Sequence, residues 1–187
     1  MFKKAILVHG WEGDPDNNWF PWLKQELINR GYEVVAPQLP DSDHPKLEPW
    51  VNTLTKATGE VDEQTIFIGH SLGCQTILRY LEKLPADKKV GTVICVAGFF
   101  YLVNLEGPEQ EAEAKAWLDI PINTEKIKNQ ISRIVAILSD NDPWVLAEEN
   151  KLNFEQKLGA EVLILNGRGH FDDDVNTKEL PEILKFI

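Results

Sequence analysis

A short apolar run, Thr65-Ile66-Phe67-Ile68, leads directly into Gly69-His70-Ser71-Leu72-Gly73, and the chain continues as Cys74-Gln75-Thr76-Ile77-Leu78-Arg79-Tyr80-Leu81. The run reads as a strand, and Ile77, Leu78, Leu81 and Leu84 behind it have helical spacing. Strand, sharp turn and helix therefore meet at Ser71. The glycines two residues before and two after it allow a strained backbone at the apex and close packing of helix on strand. Such a turn lifts the hydroxyl clear of a sheet. It also aims the Leu72 N–H, at the positive end of a helix, toward the same spot. A Gly-x-Ser-x-Gly string occurs by chance; the strand and helix that flank this one give it meaning.

The rest of the chain repeats strand and helix in alternation. Residues 4–8 are continuously apolar after Lys4, the mark of a strand buried on both faces. Residues 9–18, with Gly10, Gly13 and Pro15, are irregular. A helix is predicted over 19–29, capped by Asn17 or Asn18 and ended by Gly31. A strand follows over 32–36, then a loop over 40–45, then a helix opened by Pro49 with Val51, Leu54 and Ala57 on one face. The serine helix ends at Leu84-Pro85, and 90–96 is another buried strand. Residues 134–138 and 161–165 are strands around a helix over 145–158, and Pro181 starts a terminal helix. Right-handed crossovers make this an α/β fold of about six mostly parallel strands with helices on both faces, one domain over residues 1–187. Ligands bind such sheets at the C-terminal strand edge, where Ser71 lies.

One stretch breaks the rhythm. Residues 99–132 are longer than a simple crossover needs. They hold Phe99-Phe100-Tyr101, an Ala/Glu/Lys-rich segment ending in Trp117-Leu118, and a short helical piece around 124–131. The segment reads as a small lid over the strand ends, with a crossover packed on the sheet as an equal alternative.

Composition narrows the partners. The net charge is −11, which repels phosphate backbones and anionic lipid, so neither nucleic acid nor a membrane surface is expected. A small-molecule substrate is expected, with the oligomeric state left open. Met1-Phe2-Lys3-Lys4 briefly resembles the start of a signal peptide, but Ala5-Ile6-Leu7-Val8 is too short for its apolar part. The longest charge-free apolar run, near 93–103, is well short of the roughly 18 residues of a spanning helix, so a cytoplasmic protein is expected. Cys74 and Cys95 imply no disulfide framework, and Cys74 is a small apolar filler.

A serine hydroxyl needs a base within hydrogen-bond reach, and the base needs an orienting acceptor. Two further strand ends supply them: Ser139-Asp140-Asn141-Asp142-Pro143-Trp144 and Asn166-Gly167-Arg168-Gly169-His170-Phe171. The order Ser71, Asp142, His170 is the chain order of α/β-hydrolases. Asp142, which stands where the turn gives way to the next helix, is favoured over Asp140 as the orienter by its place in the α/β-hydrolase order. Among the four histidines, His70 is structural, His44 faces solvent and His9 braces a loop; His170 is the one placed as a base. The Leu72 and Trp11 N–H groups are the candidate oxyanion hole, Gly10 letting the backbone approach. Phe99, Phe100, Tyr101, Trp117 and Trp144 are candidate pocket walls, with Trp11 at the border. Asp172, Asp173 and Asp174 lie beside His170 without a second histidine at ligand spacing, so no metal and no cofactor are expected.

These residues resemble the small serine hydrolases of the retinoblastoma-binding-protein family. The matching features are His9-Gly10, Asn18-Trp19-Phe20-Pro21-Trp22-Leu23, Gly69-His70-Ser71-Leu72-Gly73-Cys74, the turn from Asp140 to Val145, and Gly169-His170-Phe171. The chain departs from the pattern at Trp144-Val145-Leu146, where a proline often follows the valine; the acid is spared. The resemblance implies a trimmed α/β-hydrolase core, without the first two strands of larger members, and a triad carried by Ser71, Asp142 and His170. The expectation is a serine hydrolase that cleaves a small carboxylic ester or amide through an acyl-enzyme. The alternative is a protein-interaction module on a hydrolase scaffold, with little turnover.

Overall fold

The computed structural model describes residues 3–187; Met1 and Phe2, half of the basic start considered above, lie outside the described residues. Six strands form one sheet: β1 (Lys3–Val8), β2 (Tyr32–Val35), β3 (Thr65–His70), β4 (Val90–Val96), β5 (Ile131–Ser139) and β6 (Glu161–Leu165). Their order is β2-β1-β3-β4-β5-β6, and every neighbouring pair is parallel. The chain moves one way from β1 to β2, then returns to the other side of β1 to lay down β3. The crossovers from β1 and β3 thus leave in opposite directions, which opens a crevice at the C-terminal ends of these two strands.

Side chains alternate across the sheet as strand geometry requires. Ile6 and Val8 join one core, with α2 (Leu47–Thr58), α3 (Leu72–Lys83) and α6 (Ala147–Leu158); Ala5 and Leu7 join the other, with α1 (Phe20–Asn29) and the C-terminal segment. The sheet is therefore covered on both faces, as an all-parallel sheet must be.

The helix ends correct several expectations. No asparagine side chain caps α1: Trp19 holds the cap position, and Asn17 offers its backbone carbonyl to the Phe20 N–H instead. Helix α2 starts at Leu47, with Pro49 in the first turn, where its missing N–H has no intrahelical partner to lose. Helix α6 starts at Ala147, two residues later than expected, because the Asp142 carboxylate takes the N–H groups of Trp144 and Val145. Gly159 ends it at φ 63°. Pro181–Phe186 is a 3₁₀ segment rather than an α-helix, with Ile183 buried beneath it.

Residues 99–132 form α4 (Gly107–Leu118), α5 (Thr124–Lys128), their connections and, in the last two residues, the start of β5. Trp117 pins α4 to the core. It is fully buried, meets the Trp50 ring edge-on at 5.7 Å, and donates its indole N–H to the Pro45 carbonyl at 3.1 Å. Arg79, from α3, holds the end of α4 by donating to the carbonyls of Trp117 and Ile120. On the solvent side His44 Nδ1 and Glu113 Oε1 lie 2.9 Å apart. Among the described residues no helix is long and apolar enough to cross a membrane.

Candidate active site

Ser71 sits between the last residue of β3 and the first of α3, at φ 52° and ψ −121°. A non-glycine residue there is strained, and the surroundings enforce it. Its N–H donates to Val96 O at 2.9 Å. The flanking glycines are a steric necessity. A Cβ on Gly69 would lie 2.9 Å from the Cys74 N, and one on Gly73 only 2.2 Å from the Val8 carbonyl oxygen. Gly73 thereby lets α3 press onto the end of β1, which carries His9-Gly10-Trp11 up against the serine. A Cβ on Gly10 would stand 2.9 Å from the Ser71 Cβ.

His170 comes to the same rim on the loop after β6. Its Nε2 lies 2.9 Å from Ser71 Oγ and its Nδ1 lies 2.7 Å from Asp142 Oδ2. A carboxylate only accepts, so Nδ1 carries the proton and Nε2 is left to accept from the serine hydroxyl. Asp142 is buried, and its other oxygen accepts from the N–H groups of Trp144 and Val145 at 3.0 Å each. The three side chains thus form one continuous hydrogen-bonded line. Asp140 faces elsewhere: its carboxylate accepts from the Gly167 N–H at 2.8 Å.

The loop bearing His170 is itself held by side chains that sequence reasoning did not single out. Asn141 Oδ1 accepts from the Gly169 N–H at 2.8 Å, and Ser139 Oγ accepts from the Arg168 N–H at 3.0 Å. These clamps fix a loop with left-handed backbone at both Gly169 and Phe171. From the other side His70 Nε2–H donates to the His170 carbonyl at 2.7 Å. Burial, followed by the nearby His170, pulls the His70 pKa down to about 3, so it is a neutral donor. His9 is also neutral: its Nε2 accepts from the Leu39 N–H, its Nδ1 donates to Gly10 O, and burial lowers its pKa.

The two residues expected to supply the oxyanion hole both adjoin Ser71. Leu72 is the first residue of α3, where no intrahelical acceptor exists, and Trp11 lies on the loop abutting the serine. Among the described residues neither N–H has a protein acceptor outside the helix ladder. A pocket of about 360 Å³ opens over this point, walled by Trp11, Leu102, Leu105 and Trp144 on its apolar side. Glu12, Asp172, Asp173 and Asp174 line it too, and no lysine or arginine does. Burial raises the Asp172 pKa, opposed by the charge of His170. The Trp144 ring stands perpendicular to the His170 ring at 5.0 Å.

Four aromatics expected at the pocket do not line it. Phe99 and Trp117 are buried in the core, Phe100 packs against Phe154, and Tyr101 is 49% exposed. For Phe99, Phe100 and Tyr101 the cause is a pair of polar grips, whereas Trp117 is held by Trp50 and the Pro45 carbonyl. Gln75 donates to Phe99 O at 2.5 Å, while the buried Asn150 accepts from the Phe100 and Tyr101 N–H groups at 2.8 and 3.1 Å. They turn Phe99 and Phe100 toward α3 and α6, and the same stretch then delivers Leu102 and Leu105 to the pocket.

A parallel sheet with a serine elbow, a histidine and an aspartate at its C-terminal edge defines the α/β-hydrolase class. Solved structures agree: Est1E from Butyrivibrio proteoclasticus shares the fold with a TM-score of 0.68 at 13% identity, over 92% of this chain and 81% of that one. A model of the serine hydrolase family matches residues 5–187, and the chain belongs to that family. The putative hydrolase YdeN of Bacillus subtilis is 31% identical over 182 residues, 97% of this chain and 92% of that protein. Its crystal structure matches with a TM-score of 0.87 at 28% identity, over 98% of this chain and 95% of that one. The serine hydrolase RBBP9 of Rattus norvegicus is 29% identical over 188 residues, 98% of this chain and 93% of that protein. The resemblance drawn from the motifs therefore stands.

Proposed function

We propose that this serine hydrolase cleaves small carboxylic esters or amides through an acyl-enzyme on Ser71. One observation carries the reading: Ser71 Oγ, His170 and Asp142 are joined by contacts of 2.9 and 2.7 Å at the floor of an open pocket. His170 Nε2 takes the proton as Ser71 Oγ attacks the carbonyl carbon. Asp142 holds the tautomer and stabilises the imidazolium. The oxyanion lies against the Leu72 and Trp11 N–H groups, each worth on the order of 3 kcal/mol in the transition state. His170 gives its proton to the leaving alcohol or amine, then takes one from water as the water attacks the acyl-enzyme, and returns it to Ser71 Oγ as the bond from that oxygen to the acyl carbon breaks and the carboxylic acid leaves. Leu102, Leu105 and Trp144 would carry an apolar body, and the acids would disfavour an anionic one.

A series of chromogenic esters of increasing acyl length tests this. The wild type is expected to show a burst of released alcohol followed by turnover, with a preference for short neutral chains. Ser71→Ala is expected to show neither. Turnover unchanged in Ser71→Ala would overturn the reading.

A further inference from the structure

A second cavity of about 300 Å³ shares no lining residue with the first. It lies between α3, the turn around Phe100, the connection from α4 to α5, and the end of α6. Its apolar lining includes Phe100, Ile120 and Ile122, and its charged lining consists of Arg79 and Lys157 with no acid at all. The chain has 30 acidic and 19 basic residues, so a cavity with bases alone runs against its composition.

The polar groups beside this cavity are incompletely matched. Arg79 is 4% exposed and Gln75 is 1% exposed. The Arg79 Nη groups donate to the carbonyls of Trp117, Ile120 and Pro121. Carbonyls accept hydrogen bonds without neutralising a charge. The nearest carboxylate oxygen, on Glu82, is 4.0 Å away, and that residue's other oxygen already accepts from the Asn123 N–H. Among the described residues Arg79 Nε, a donor, has no partner; Gln75 Oε1 has none either, but as an acceptor it offers nothing to an anion. Burial lowers the Arg79 pKa more than Glu82 raises it, so the desolvated cation is under-compensated. Lys157 Nζ stands 4.6 Å from the centre of the Phe100 ring and adds a second positive charge at the rim.

We infer that this cavity binds a small organic carboxylate, its anionic head toward Arg79 and Lys157 and its apolar body against Phe100, Ile120 and Ile122. An apolar body with one negative group suits the lining better than inorganic phosphate, which would leave the apolar wall unfilled. The site is separate from Ser71 and does not depend on the hydrolase reading.

The test is titration of the full chain with benzoate and with benzyl alcohol, its neutral counterpart, followed by amide and indole chemical shifts. Benzoate is expected to move the Trp117 indole signal and leave those of Trp11 and Trp144 in place. It is expected to bind at least about tenfold more tightly than benzyl alcohol. Lys157→Met, an exposed position, is expected to weaken benzoate about fivefold and leave benzyl alcohol unchanged. Absent benzoate binding, equal affinity for the two probes, shifts confined to Trp11 and Trp144, or a Lys157→Met protein that binds benzoate as the wild type does would each overturn the assignment.

Discussion

His70 Nε2–H donates to the backbone carbonyl of His170 at 2.7 Å, so the residue before the serine holds the loop that carries the histidine. Serine and histidine sit 99 residues apart in sequence, and this contact ties their two turns together directly. The proposed nucleophile and base are therefore positioned by one partly buried bond as well as by their own strands.

Removing that bond is expected to cost rate. His70→Ala frees the His170 peptide, and a displacement of about 1 Å at a reacting group can cost on the order of 100-fold. The expected result is a fall in kcat of about 10- to 100-fold with KM little changed, measured on a neutral chromogenic ester. Equal losses in kcat and in folded fraction would assign His70 to stability alone.

The same histidine sets an acid limit on folding. Its pKa in the folded protein is about 3, against 6.5 for the ordinary side chain. Between those values the unfolded chain binds the extra proton. The stability from neutral, buried His70 is complete above pH 6.5 and is lost as pH falls, up to about 5 kcal/mol by pH 3. His9, also lowered by burial, acts in the same direction. Urea unfolding at pH 7.5, 5.5 and 4.5 is expected to show a steady decline. His70→Asn is expected to flatten it.

Gly10 and Gly73 are expected to separate folding from catalysis. Alanine at Gly73 would put a methyl 2.2 Å from the Val8 carbonyl oxygen, a backbone atom that cannot yield, and the protein should lose on the order of 3 kcal/mol of stability. Alanine at Gly10 would press on the Ser71 Cβ at 2.9 Å and on the His70 carbonyl at 3.0 Å. It would push the Trp11 N–H away from the serine, with a loss in kcat of about 100-fold. Thermal unfolding and ester turnover, run on both variants, check this.

The pocket's charge is expected to select substrates. Glu12, Asp172, Asp173 and Asp174 line it without a lysine or arginine, although Lys178 pairs with Asp173. A neutral ester should be hydrolysed faster than an isostere bearing a carboxylate, and salt should narrow the gap. A carboxylate-bearing ester that reacts faster, unaffected by salt, would contradict this.

Much of the architecture can be read from the sequence, for definite reasons. In a parallel sheet every strand must be buried on both faces, so continuous apolar runs such as Ala5 to Val8 are plain. Ser71, Asp142 and His170 each follow such a run, and parallel strands bring their ends to one edge. The contents of 99–132 are less plain, because Gln75 and Asn150 decide which way the aromatics turn, and each lies far from them in sequence. The grips on the His170 loop were hidden for the same reason. Ser139 and Asn141 look like ordinary turn residues until β6 is laid beside β5. The boundary of α6 depended on where the Asp142 carboxylate spends its second oxygen.

The most direct test of the account is mass analysis of the protein after reaction with a fluorophosphonate, which captures an activated serine by displacing fluoride. The account predicts one adduct per chain, on the peptide containing Ser71, and none in Ser71→Ala. A folded wild type that stays unmodified, or a Ser71→Ala protein that gains the same mass, would contradict it.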